Sequence, residues 1–157
     1  MTETPILVTT EELDDHLDSA EVRVVDLSKL EHYAFSHIPG AIHLDYVTLL
    51  DGNKPAPGRL PPGKQLEQLS SVLGLSNGCR IIACDDEGSG RAARLLWTLH
   101  VMGYPSCSVL DGGMTAWRSE QRRLTAEQPL QENTAPRVAM DTSVIAKIRR
   151  PSGRERA

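Results

Sequence analysis

Apolar positions over the first 124 residues follow two periods in turn, and their alternation predicts strands separated by helices. After the short apolar run in "PILVTT", Thr9 and Glu12 have capping-box spacing, with Leu13 and Leu17 on one helical face beyond them. "EVRVVDLS" (21–28) is β-branched and apolar, the pattern of a buried strand. "KLEHYAFSHIPGAIHLDY" (29–46) predicts a short helix, a Pro39-Gly40 turn and a short extended piece. Four prolines and three glycines in "DGNKPAPGRLPPG" (51–63) predict a surface loop. Leu66, Leu69, Val72 and Leu73 then recur at helical spacing, and Gly74 stops the helix.

The second half repeats the alternation. "CRIIAC" (79–84) is a buried strand, and a helix follows with Ala92, Leu95, Leu96, Leu99 and Met102 on one face and Gly103 at its end. "SCSVLDGG" (106–113) is a strand running into a Gly112-Gly113 turn that needs positive φ. "MTAWRSEQRR" is a last amphipathic helix. Such alternation implies right-handed βαβ units and a mainly parallel sheet covered on both faces. One domain is expected over residues 1–124. Residues 125–157, with one weak apolar run and a basic end, are expected to be a linker or tail, or the start of a second domain.

Composition narrows the function. With 39% apolar and 24% charged residues the chain is an ordinary globular one, and 157 residues suffice for a core. A formal charge of -4 gives no reason to expect nucleic acid or an anionic membrane as partner. "MTETPILV" lacks a signal-peptide pattern, and no apolar run approaches the ~20 residues of a spanning helix. Three cysteines argue against a disulfide framework, so a cytoplasmic chain with reduced thiols is expected.

The candidate chemistry lies in "IIACDDEGSGRAARLLWTL" (81–99), a strand, a tight Gly-rich loop and a helix. Backbone N–H groups at such a junction converge on an anion, and the helix dipole favours negative charge. Here the loop itself is acidic, opening with Asp85, Asp86 and Glu87. These acids read as a cation site or, more simply, as an acidic, solvated or domain-facing loop. Cys84 reads as a displaced nucleophile or as a buried strand-end thiol, and Cys79 and Cys107 as core residues. No spaced Cys/His set suggests a metal, and no cofactor is expected. His37 reads as a structural hydrogen-bonding residue, while His16, His32, His43 and His100 form no constellation. Trp97 and Trp117 are expected as core or interface anchors, and Arg91 as a residue able to hold an anion.

Three segments in order, "VVDLSKLEHYAFSHIPGAIHLDY", "IIACDDEGSGRAARLLWTLHVMGY" and "CSVLDGGMTAWRSE", resemble the rhodanese family of sulfurtransferases over roughly residues 6–123. The resemblance implies an α/β domain with a five-stranded, mainly parallel sheet and helices on both faces. It also implies that Asp85, Asp86, Glu87, Gly88, Ser89, Gly90 and Arg91 stand where the family carries its active-site loop. Family catalysis uses a cysteine thiolate that takes sulfane sulfur from thiosulfate as a persulfide. Counting back from Arg91, the sulfurtransferase loop length lands on Asp86 and the related phosphatase loop length on Asp85. Neither reaches Cys84, and a carboxylate cannot hold a persulfide. Two unit charges about 4 Å apart repel by about 4 kcal/mol at an effective ε near 20, so three acids oppose a sulfur dianion.

"DDEGSG" with "RAARLLWTL" further resembles the N-terminal, non-catalytic half of two-domain thiosulfate sulfurtransferases. The leading expectation is such a silent half, with no catalytic residue of its own and a cysteine-bearing rhodanese domain, in cis or in trans, as partner. A sulfur transferase acting through Cys84 and a stand-alone protein-binding module are the alternatives. A small sulfur anion and a homodimer are further partner expectations. The segment from Ile42 to Leu50, with Leu44, Tyr46, Val47, Leu49 and Leu50, is expected to supply an exposed apolar docking patch.

Overall fold

A computed structural model of the chain describes residues 3–75 and 78–129. The elements run β1 (Leu7–Val8), α1 (Thr10–His16), β2 (Val22–Asp26), α2 (Leu30–Phe35), β3 (Ile42–His43), α3 (Gly63–Leu73), β4 (Arg80–Cys84), α4 (Gly90–Val101), β5 (Cys107–Leu110) and α5 (Gly113–Ser119). A 3₁₀ turn, Tyr46–Leu49, follows β3. The five strands form one sheet in the order β1-β5-β4-β2-β3, and every pairing in it is parallel. Among the described residues no helix is long and apolar enough to cross a membrane.

Side-chain alternation along the central strands builds two cores. Val25, Ile81, Ala83 and Val109 face α3 and α4, which supply Leu66, Leu69, Leu73, Ala92, Leu95 and Leu99. Val24, Ile82, Cys84 and Leu110 face the other way, against Leu13 of α1, Tyr33 of α2, and Met114 and Trp117 of α5. Both faces of β4 are thus covered, which is why Ile81–Cys84 is continuously apolar instead of alternating. The helix ends follow the sequence signals. Thr9 caps α1 by accepting from the Glu12 N–H at 3.0 Å, and Gly74 closes α3 in the left-handed region at φ 69°.

The expected apolar patch is corrected. Ile42, Leu44 and Leu49 are core residues, so the segment expected to be an exposed patch is largely interior. The 3₁₀ turn rotates Leu49 inward and leaves Val47 at 61% exposure. Trp117 is buried and donates to the Arg123 carbonyl, whereas Trp97 stays 42% exposed with the Arg94 guanidinium over its ring. Beyond residue 124 the chain at first stays on the domain, where Thr125 forms an antiparallel bridge with His37. Residues 130–157, most of the expected linker or tail, lie outside the described residues.

Candidate functional site

Parallel neighbours end on the same side of a sheet, so the loops after β2 and β4 meet there, as ligand-binding loops of open α/β sheets do. Directly after β4 the chain turns at Asp85, whose side chain folds back under its own loop. Asp85 Oδ1 accepts from the Glu87 N–H at 2.8 Å and the Ser89 N–H at 2.9 Å. Oδ2 accepts from the Ala92 N–H, in the first turn of α4, at 2.9 Å. The expected N–H cradle is therefore present, and it holds the chain's own carboxylate. Asp85 is 1% exposed, which corrects the reading of a solvated loop at this one acid. Three charge-assisted bonds and a helix N-terminus offset the cost of burying that charge.

The backbone is shaped to make this possible. Gly88 and Ser89 both take positive φ, 78° and 75°, so that the N–H groups point inward before Gly90 opens α4. The Gly112-Gly113 turn, also at positive φ, presses on the loop from β5. The Met114 N–H donates to the Asp85 carbonyl at 2.9 Å, and a Cβ on Gly113 would lie 2.7 Å from that oxygen. The glycine pair thus serves the loop by close approach, as a turn and not as a phosphate cradle.

The remaining loop acids turn to different partners, Asp86 mostly covered and Glu87 exposed. Asp86 Oδ2 pairs with Nδ1 of His32 on α2. Glu87 reaches the Arg91 guanidinium at 3.4 Å and stands 4.0 Å from the Lys29 ammonium. Arg91 also donates to the Leu27 carbonyl at 3.2 Å and lies over the Tyr46 ring. It does not point into the Asp85 cradle. A cleft of about 480 Å³ beside it is lined by Ser28, Lys29, His43, Asp45, Tyr46 and Arg91, among others. Its mixture of cations and acids does not select an anion by charge alone.

The thiols sit elsewhere. Cys84 is 0% exposed and belongs to the core formed with α2 and α5. Burial raises its thiol well above the ordinary range, and the charges of Asp26, Asp85 and Asp86 add to that, with Arg118 opposing. Cys107 is pushed up to about 12, again by burial. Cys79 is buried too, and all three cysteines are free. No group of three or more potential metal ligands occurs among the described residues.

Sequence reasoning missed two members of this neighbourhood. Asp26, at the end of β2, is buried in register with Cys84, and burial raises its carboxyl above the usual range. His32 meets Asp86 across 54 positions of sequence. Position at the carboxyl end of a predicted parallel strand was the available signal for Asp26, and His32 carried none. His37 has the structural role expected of it, with both ring nitrogens bonded to backbone carbonyls.

Comparisons with known proteins agree with this architecture. The thiosulfate sulfurtransferase of Azotobacter vinelandii is 40% identical over 125 residues, covering 80% of this chain and 46% of that protein. The thiosulfate sulfurtransferase of Pseudomonas aeruginosa is 37% identical, with the same coverage. The chain spans about half the length of these curated relatives. Among solved structures, 3-mercaptopyruvate sulfurtransferase from Leishmania major superposes with a TM-score of 0.70 at 27% identity, covering 83% of this chain and 38% of that one. SseA from Escherichia coli has a TM-score of 0.73 at 23% identity, over 92% of this chain and 62% of that one, and shares the fold. The family described as the Rhodanese-like domain matches residues 9–120, and with the parallel sheet and the loop after β4 it is the family to which this chain belongs.

Proposed function

We propose that this domain is a catalytically silent rhodanese unit of a thiosulfate sulfurtransferase, working beside a second rhodanese domain that carries the reactive cysteine. The observation that carries the reading is Asp85, whose carboxylate takes the three inward N–H groups of the loop. In an active loop of this kind those dipoles would lower a thiol pKa and receive the sulfur being transferred. The reaction needs a thiolate, which attacks the outer sulfur of thiosulfate, forms a persulfide and releases sulfite. Asp85 cannot perform that step. Cys84 is closed off in the core, with its thiol held protonated by burial.

Support for a partner domain comes from length and surface. The Azotobacter vinelandii and Pseudomonas aeruginosa thiosulfate sulfurtransferases are about twice as long as the stretch over which they match this chain. Leu30, Val47 and Trp97 are exposed, and Tyr46 is partly buried against the core. Aromatic and arginine side chains paired on a surface, here Tyr46 with Arg91 and Trp97 with Arg94, are typical anchors of protein interfaces. The three free, buried cysteines suit a reducing, cytoplasmic setting.

The test is a thiosulfate:cyanide transfer assay on the purified chain, alone and mixed with a cysteine-bearing rhodanese domain. Alone it should make no more thiocyanate than a variant without cysteines. Turnover by the isolated chain that Cys84→Ser abolishes would overturn silence and establish Cys84 as the nucleophile.

A further inference from the structure

The cleft beside Arg91 is lined by charges of both signs that do not pair with one another. Its cations, Lys29 and Arg91, both turn to Glu87, a carboxylate outside the lining, at 4.0 and 3.4 Å. One carboxylate shared by two cations leaves them with positive charge to spare. Its acids, Glu31 and Asp45, are exposed, and neither has an ion pair among the described residues. Asp45 spends only Oδ1, which accepts from the Val47 N–H at 3.2 Å and caps the 3₁₀ turn.

Ser28 adds a second, independent observation. It lines the same cleft and is only 3% exposed, so it belongs to the floor. Its backbone is fixed on two sides: the N–H donates to Asp26 Oδ1 at 2.9 Å, and the carbonyl accepts from His43 Nε2 at 2.8 Å. Its hydroxyl is buried and has no partner among the described residues. Buried hydroxyls are ordinarily hydrogen-bonded, and a hydroxyl both donates and accepts, so either end of a polar ligand can satisfy this one. The cleft stands at the carboxyl ends of β2 and β3, where open parallel sheets take their ligands, and about 480 Å³ suits a small molecule.

Charge selects the class of molecule. A simple anion entering the cleft meets Glu31 and Asp45. A bare metal ion meets Lys29 and Arg91, and the lining offers it no group of three potential ligands. A molecule carrying both charges a short distance apart is matched by both sets. At neutral pH a free amino acid carries its carboxylate and its ammonium on one carbon. We propose that this cleft binds a free α-amino acid as its zwitterion, with the carboxylate drawn to Lys29 and Arg91, the ammonium to Glu31 and Asp45, and the Ser28 hydroxyl bonding to the ligand at the floor. The ligand's side chain then lies along Leu30 and the Tyr46 ring, over which Arg91 sits. None of these groups belongs to the Asp85 cradle, so the assignment stands apart from the silence of the loop.

Calorimetric titration of the full chain at neutral pH with L-alanine, propionate and propylamine tests this, because the last two each keep one charge of the first. L-Alanine should bind with a Kd of about 1 mM or below, at least about tenfold tighter than either single-charge probe. Its amide NMR shifts should move Ser28, Leu30 and Tyr46 and leave Leu13 of α1 in place. Ser28→Ala removes a hydroxyl that has no partner, so it should fold normally and bind L-alanine about tenfold more weakly. Should that variant not fold, Glu31→Gln on the exposed rim should weaken L-alanine and propylamine and not propionate. Propionate or propylamine binding as tightly as L-alanine, no saturable heat up to about 20 mM L-alanine, or unchanged L-alanine affinity in the folded variants would overturn the proposal.

Discussion

Replacing Asp85 with Asn probes the self-filled cradle with little change of shape. The amide oxygen can still accept from Glu87 and Ser89, but the amide nitrogen then faces the Ala92 N–H, donor against donor. One charge-assisted bond, worth about 1.5–3 kcal/mol, is lost and a buried N–H is left unpaired, at about 1–3 kcal/mol. An amide costs less to bury than a carboxylate, which offsets part of this loss. The net expectation is a loss of about 3 kcal/mol, a large share of the 5–15 kcal/mol typical of a domain. Urea unfolding reads this directly. With m near 2 kcal/mol/M the midpoint should fall by about 1.5 M at unchanged m. Asp85→Ala should be worse, because it orphans all the N–H groups of the cradle, and formate should recover part of the loss by entering the vacated space. At formate about tenfold above its Kd the recovery is about 1.4 kcal/mol. An Asn variant within about 0.5 kcal/mol of the parent, together with an Ala variant indifferent to formate, would refute the cradle argument.

Three further outcomes follow from the same geometry. Gly113→Ala should lower Tm by about 5–10 °C, because it combines a positive φ with a Cβ 2.7 Å from the Asp85 carbonyl; thermal melts in which it matches the parent would contradict that contact. Burial raises the Asp26 carboxyl above its ordinary 3.8, so the folded state binds that proton more tightly than the unfolded chain. Its contribution to stability is therefore lost as pH rises from the unfolded value through the folded one, and Asp26→Asn should flatten the pH dependence of Tm over that window and raise Tm at neutral pH; parallel Tm–pH curves would rule this out. Cys79, Cys84 and Cys107 are all buried, so a disulfide reagent at about pH 8 should modify none of them at the rate of free cysteine until denaturant is added, and one fast thiol in the native chain would show that the core seal around it is wrong.

Much of this protein was legible from local pattern. The continuous apolar run Ile81–Cys84 and the leucines of α3 and α4 report burial directly, because a strand covered on both faces and a helix with one covered face each leave a period in the sequence. Thr9 and Gly74 marked helix ends because capping is a short-range hydrogen-bond problem. The site's location was also readable, since a strand, a glycine-bearing loop and a helix in succession can only bring N–H groups to one place. Which carboxylate fills that place was not. Residue counting left Asp85 and Asp86 both open, and they differ in whether the side chain turns under the loop toward Ala92 or out toward His32, a choice made by positive φ at Gly88 and Ser89 and by the press of Gly113 from another strand. The inward rotation of Leu44 and Leu49, the burial of Asp26 beside Cys84 and the clamp of His37 on Glu127 have the same origin. Each joins residues far apart in the chain, and no periodicity records a contact that exists only once parallel strands lie side by side.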